Sequence, residues 1–437
     1  MGHISSKDAY RKLGNKIDNL TMRTPWNETF HEILKELYTV EEADVIVKMP
    51  FGLAPLKKIA SITKYNEDKL KVILEGLADK GLVIDLHHGD QAYYLPSPMV
   101  IGIFEFTMMR TDANIDRKKI AGLFHDYMRG DKSFHAANQA DGQQYGILRT
   151  LPYPESIVPE QYIEVLDFEK AEEIVKGHSK FALGICSCRH EKEHLGGRAC
   201  MTPLNTCASF GHSADFLVSH GFAKEVSKDQ MLDVVAHSKS EGLVLSADNI
   251  KKNVQYMCHC CGCCCNYLAG LKEWGLLNVV VTSNFEAKVK NEACNGCGVC
   301  EKACPVGAIK MESGLTGVNK LGKLARVHES YCIGCGVCAS KCKPKSIQLQ
   351  MRSKRVITPE DTFEKTLLQS LQRGTMQNLI FDNPSSVGQS FMRAFVGGFV
   401  RLSPVKRALL SDSLRSRFLA TMKKGVKAQG KGWITEM

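Results

Sequence analysis

Cys294-Asn295-Gly296-Cys297-Gly298-Val299-Cys300-Glu301-Lys302-Ala303-Cys304-Pro305 is the stretch on which the reading of this chain turns. Its cysteine spacing recurs 38 residues later as Cys332, Cys335, Cys338 and Cys342, so the segment is an internal duplication. Three closely spaced thiolates grip one face of a 4Fe-4S cube. The fourth must come from elsewhere, because a short loop cannot wrap all four iron corners, and in paired runs of this kind it crosses over. One cluster is therefore expected on Cys294, Cys297, Cys300 and Cys342, and the other on Cys332, Cys335, Cys338 and Cys304. This makes the two cubes neighbours. Gly296, Gly298, Gly334 and Gly336 leave the backbone room to fold around each cluster and to turn amide protons toward its sulfurs.

This segment resembles the bacterial dicluster ferredoxin family from Ala287 to Met351. The resemblance implies short hairpins and two small helices around the clusters, in a domain placed at residues 285–351. In the second run Lys343 separates Cys342 from Pro344, where the family puts proline directly after the cysteine. The departure bears on local geometry and potential, and leaves the ligand assignment standing.

Ten of the 18 cysteines lie outside this module. Cys186, Cys188, Cys200 and Cys207 form one sequence group, and Cys258, Cys260, Cys261, Cys263, Cys264 and Cys265 the other. Six thiols in eight residues cannot all bind one cube, and neighbouring cysteines point in different directions, so the second group should serve two centres or leave thiols free. Iron is expected, in one or two further 4Fe-4S clusters that extend an electron path. Structural zinc sites and spare buried thiols are the alternatives. Arg189, His190, His194 and His259 stand beside these cysteines and could tune or complete a cluster, or simply pack. The Ile185-Cys186-Ser187-Cys188-Arg189 start, the run of cysteines ending at Cys265 and the terminal dicluster module resemble, as a set, poorly characterised ferredoxin-domain proteins of anaerobic microbes. That resemblance spans roughly Glu28 to Arg417.

A chain of 437 residues exceeds one ordinary core, and the expected fold class is α+β multidomain. Glu28 to Pro96 reads as three helices and a hairpin, a winged-helix-like outline over residues 28–97. Leu70, Ile73, Leu74 and Leu77 share a stripe, and His87-His88-Gly89-Asp90 supplies the turn. Residues 98–180 read as a mixed α/β connecting region, with a helix near Arg117 to Arg129, a strand at Tyr162 to Leu166 and a helix capped by Asp167. Residues 181–280 form the central Cys-rich α/β region, mostly helical from His212 to Lys252. Residues 356–437 read as a helical, basic C-terminal tail, opened by Thr358 as N-cap with Asp361 completing a capping box. Phe363, Leu367 and Leu371 lie in line there, and Phe391, Phe395 and Phe399 recur at helical spacing with core packing as the default.

The formal charge is +10, of which residues 401–437 carry +7, nine Lys or Arg against Asp412 and Glu436. Part of the excess balances cluster charge, and the tail is a docking surface for a redox partner or a membrane surface. Met1 to Lys16 is polar and unlike a signal peptide, so the cytoplasm is expected. The opening Met1-Gly2-His3-Ile4-Ser5-Ser6 fits the loose myristoylation pattern that many unrelated N-termini share. The apolar stretch Ala394 to Val400 is far too short to cross a bilayer.

An electron-transfer protein of anaerobic redox metabolism, exchanging electrons with partner proteins, is the leading functional expectation. An iron–sulfur oxidoreductase whose central cluster keeps one iron open to substrate is the alternative. A redox-responsive DNA-binding regulator is a third reading. The helix at Asn66 to Lys80 opposes it, setting Glu67, Asp68, Glu75 and Asp79 against Lys69, Lys71 and Lys80. No dinucleotide fingerprint or P-loop is present.

Overall fold

The computed structural model describes residues 2–436 apart from 112–114, 131, 140–143, 279, 316, 318 and 429, with side chains from residue 8 onward except that of residue 412. The N-terminal acylation pattern lies outside the described side chains. The fold mixes helices with small sheets, in two compact units. One comprises residues 1–138, 216–223 and 360–437, and the other residues 139–215 and 224–359. Among the described residues no helix is long and apolar enough to cross a membrane.

In the first unit, local chemistry sets the helix starts. Asn27 accepts the Phe30 N–H at 2.8 Å to open helix Glu28–Leu37, and Thr39 and Glu42 form a reciprocal capping box for Val40–Lys48. Strand β1 (Ala54–Pro55) precedes helices Leu56–Thr63 and Glu67–Asp79. Strands β2 (Val83–His88) and β3 (Gln91–Pro96) form a hairpin that turns at Gly89, φ 58°, and the sheet order is β1-β3-β2. Leu70, Leu74 and Leu77 are fully buried. Lys69, Lys71 and Lys80 pair with Glu41, Glu75 and Glu42. His220 bridges helix and hairpin, with Nδ1 2.7 Å from Asp79 and Nε2 3.0 Å from Asp85.

The C-terminal helices begin with Thr362–Arg373, whose N-cap is Asp361, accepting from the Glu364 N–H at 2.8 Å. The start expected at Thr358 is thus displaced, because Asp361 and Glu364 supply the cap while the Pro359 carbonyl is taken by the Lys251 N–H. Phe363, Leu367 and Leu371 are buried as their spacing implies. Phe391, Phe395 and Phe399 on helix Val387–Val400 are not core: they are 69%, 68% and 58% exposed.

The second unit is built on a six-stranded sheet of β4 (Leu148–Thr150), β5 (Phe181–Ile185), β6 (Asn205–Phe210), β7 (Ala223–Glu225), β8 (Val244–Asp248) and β9 (Tyr256–Cys260), in the order β4-β8-β9-β6-β5-β7. Its pairings from β4 through β5 are antiparallel. Every residue of β8 is buried, so it lacks the alternation that would mark it as a strand, and the expected mostly helical stretch from His212 to Lys252 contains β7 and β8. The strand expected at Tyr162 to Leu166 is instead the 3-10 segment Pro159–Glu164 and its exit. Ile163 there is 87% exposed and has no core face to hold a ladder. Asp167 opens a separate 3-10 turn, and the helix itself starts at Ala171. Strands β10 (Phe285–Val289), β11 (Ile309–Ser313), β12 (Lys323–Val327) and β13 (Ile347–Met351) complete the unit as two hairpin-like pairs, β10 with β13 and β11 with β12.

Candidate metal centres

The two cysteine runs occupy equivalent positions, each wrapping into a short helix, Val299–Ala303 and Val337–Ser340. Gly296, Gly298, Gly334 and Gly336 all have φ between 71° and 87°, a region that costs any other residue. Amides are aimed at sulfur: Ala287 N–H lies 3.4 Å from Cys332 Sγ and Ala308 N–H 3.2 Å from Cys304 Sγ. The Cys304 sulfur sits in the electrostatic neighbourhood of Cys332, Cys335 and Cys338, and that of Cys342 beside Cys300. Cys304, Cys332, Cys335 and Cys338 ring a small cavity whose apolar wall includes Val306, Ile309, Ile333 and Leu349. Burial pushes the Cys335 thiol up to about 12, so a metal ion is needed to hold this sulfur as thiolate at neutral pH.

Residues 286–356 match the 4Fe-4S dicluster domain family. The cofactors of this segment are accordingly 4Fe-4S clusters, and the cavity, the amides and the donor set fit them. No curated protein and no solved structure matches the chain.

The dicluster domain packs closely on the segment after β4 and on the turn after β9, within the same unit. Tyr153 N–H donates to the Cys335 carbonyl at 3.1 Å, and Ser156 Oγ to that of Gly336 at 3.1 Å. A Cβ on Gly262 would lie 2.6 Å from the Pro305 carbonyl oxygen, so only glycine lets the central cysteine turn rest beside Cys304.

The ten central cysteines are all reduced, and the structure regroups them across their sequence runs. Cys200, Cys261, Cys263 and Cys264 bring their four sulfurs within 4.8 Å of one another. The other six, Cys186, Cys188, Cys207, Cys258, Cys260 and Cys265, gather about the end of β5, strands β6 and β9, and the starts of two helices. The Cys188 thiol hydrogen-bonds with Cys265, Cys260 contacts both Cys258 and Cys265, and Cys186 and Cys207 face Cys258. Cys186 and Cys265 are also the N-caps of helices Ser187–His194 and Asn266–Trp274. The amides of Arg189, Asn266 and Leu268 donate to Cys186, Cys188 and Cys265, so two positive helix ends point into this nest. Burial pushes Cys186 up to about 12, again a sulfur that needs a metal ion to be a thiolate at neutral pH.

Arg189 lies between the two sets and is 1% exposed. Its guanidinium reaches the Pro203 carbonyl at 3.2 Å, Thr206 Oγ and the His259 carbonyl. Burial opposes its charge, and the sulfurs of Cys186 and Cys261 outweigh that opposition. His259 alternates with Cys258 and Cys260 on β9, so its ring turns the other way, to Ser238 Oγ at 2.7 Å. Burial, then Arg189, lowers its pKa to about 3 and keeps it neutral. His190 and His194 bond to each other at 3.0 Å. No pattern in the sequence marks the buried Lys192–Glu191 pair, 3.1 Å apart, or Asn266 donating to Glu191 at 2.6 Å beside Cys188.

Proposed function

We propose that the chain is an iron–sulfur electron-transfer protein that exchanges electrons with partner proteins in anaerobic redox metabolism. The observation that carries the reading is the cavity ringed by Cys304 from the first run and Cys332, Cys335 and Cys338 from the second. Ligands drawn from both runs are what two neighbouring cubes require. In this reading Cys332, Cys335, Cys338 and Cys304 hold one cluster and Cys294, Cys297, Cys300 and Cys342 the other. When bound, the clusters supply one-electron carriers. The chain holds their thiolates, aims amides at the sulfurs and sets their access to solvent. Exposed Cys297 and Val299 make the first site the port for a redox partner, while Cys332, Cys335 and Cys338 are buried.

The six-thiol nest is proposed as a third 4Fe-4S site, supported by its helix-end amides and by Arg189. It offers more thiols than a cube has corners, which favours a relay over a catalytic cluster with an open iron. The 28–97 segment serves in this reading as a winged-helix-like docking module. Its helix lysines are already paired with carboxylates, which disfavours DNA. The basic tail and the exposed Phe391, Phe395 and Phe399 suit an acidic redox partner, and the cytoplasm remains the proposed compartment.

Crossing over is tested with two double variants, read by EPR of the reduced protein. Cys304→Ala with Cys335→Ala strips one cube of two ligands and leaves the other intact. Cys304→Ala with Cys297→Ala damages both. An intact 4Fe-4S cube in the dicluster domain of the second variant would overturn the assignment.

A further inference from the structure

We propose that Cys200, Cys261, Cys263 and Cys264 form a closed tetrathiolate site for a single zinc-class metal ion, distinct from every iron–sulfur cluster of the chain. Cys200 Sγ lies 3.7 Å from Cys261 Sγ and 3.8 Å from Cys264 Sγ, and Cys263 Sγ lies 3.6 Å from Cys264 Sγ. A tetrahedral ion about 2.3 Å from each sulfur sets those sulfurs about 3.8 Å apart. A cube spreads its thiolates much wider, since each sulfur sits outside an iron corner. The contrast is present within this chain: among the described residues this is the one group of three or more potential metal ligands contracted within 4.8 Å, and the cube-binding cysteines of the dicluster domain are not.

Sequence and charge agree with one ion. Three of the four ligands fall within Cys261-Gly262-Cys263-Cys264, and Cys263 and Cys264 are adjacent, a spacing that suits convergence on one point and not three separate corners. Four thiolates around a divalent ion carry two negative charges. Two guanidiniums answer them, Arg198 at Cys200 and Arg189 at Cys261. With four protein ligands no position is open for substrate, the arrangement of a structural site.

Such an ion has clear structural work here. Cys200 lies in the irregular stretch 197–203, next to Met201, which is 97% exposed. The ion would clamp that stretch to the cysteine turn whose Gly262 rests on Pro305, and so fix the dicluster domain against the central sheet. The proposal rests on the functional reading only for the cube-binding role of the dicluster cysteines used in the contrast of sulfur spacings, and it does not depend on what the six-thiol nest holds.

The test uses the full chain purified without oxygen, with zinc, iron and labile sulfide measured in one digest. About one zinc per chain is expected. Cys200→Ser with Cys263→Ser should lose that zinc while iron and sulfide stay at the wild-type level. Loss of about four iron with matching sulfide would make the site a cube and overturn the proposal, and so would unchanged zinc. Should the variant misfold, zinc-edge X-ray absorption on the unaltered protein decides. One shell of about four sulfurs near 2.3 Å is expected, and a shell containing nitrogen or oxygen overturns the proposal. An iron count below that of the dicluster domain would sink the functional reading without touching the zinc result.

Discussion

Gly334→Ala strikes the dicluster domain at its most crowded backbone position. Gly334 has φ 71°, and an L side chain there costs about 1–2 kcal/mol in backbone conformation alone. Its Cβ would also overlap the Phe285 carbonyl oxygen and Ser283 Oγ and lie 3.0 Å from the Phe285 carbonyl carbon. Neither neighbour moves freely, since Ser283 Oγ donates to the Gly334 carbonyl at 2.7 Å and Phe285 is held opposite Met351 in the β10–β13 pair. Overpacking of this kind adds about 1–3 kcal/mol. The sum of about 2–5 kcal/mol corresponds to a site weakened about 30-fold or more. Gly298→Ala is the matched control: its φ is 73°, but its Cβ meets only Met311 Cγ at 3.8 Å, so the backbone cost stands alone. The assay is anaerobic iron release to a ferrous chelator, with iron content at the start. Gly334→Ala should begin about four iron short or release them more than about 30-fold faster, while Gly298→Ala, which bears the backbone cost alone, stays within about 30-fold of the parent. Equal rates for the two variants would refute the crowding argument.

Arg189→Met removes a buried cation and its bonds to Pro203, Thr206 and His259, at about 3–5 kcal/mol. Metal analysis should show the central sites depleted and dicluster iron retained, and full central occupancy would contradict the role given to Arg189. For His220, burial opposes protonation, but hydrogen bonds to Asp85 and Asp79 outweigh it and raise the pKa. The folded state therefore binds this proton more tightly, and its stabilisation is complete below about pH 6.5 and fades as pH rises through the folded value. Denaturant midpoints of His220→Gln should decline less between pH 6 and 9 than those of the parent, and parallel profiles would count against the bridge. Phe391→Ser with Phe395→Ser should change stability by less than about 0.5 kcal/mol, because both rings face solvent. A large loss in thermal unfolding would show that they are covered.

What could be read in the chain depended on whether the relevant physics is local. The dicluster spacing, the Gly89 turn and the stripe of Leu70, Leu74 and Leu77 are set by near neighbours, and they appear in the structure where the residues indicate. Strand β8 is not legible in the sequence because all five of its residues are buried, which erases the period-two signal. Ile163 lies in a stretch whose residues suggest a strand, and at 87% exposed it has no core face to hold a ladder. Six crowded thiols implied two central centres or spare thiols, and left open which cysteines would sit together. Cys260 and Cys261, like Cys264 and Cys265, are sequence neighbours that join different sets, because adjacent side chains leave a strand end or a tight turn in different directions. Cys200 reaches its partners from a loop about sixty residues upstream, a pairing that only the tertiary fold provides.

Iron and acid-labile sulfide per chain, measured on the full protein purified without oxygen, test the central claim most directly. About twelve iron with matching sulfide are expected, about eight in the dicluster domain and about four in the six-thiol nest. A chain that carries iron without labile sulfide, or fewer than about eight iron after anaerobic reconstitution, would contradict it.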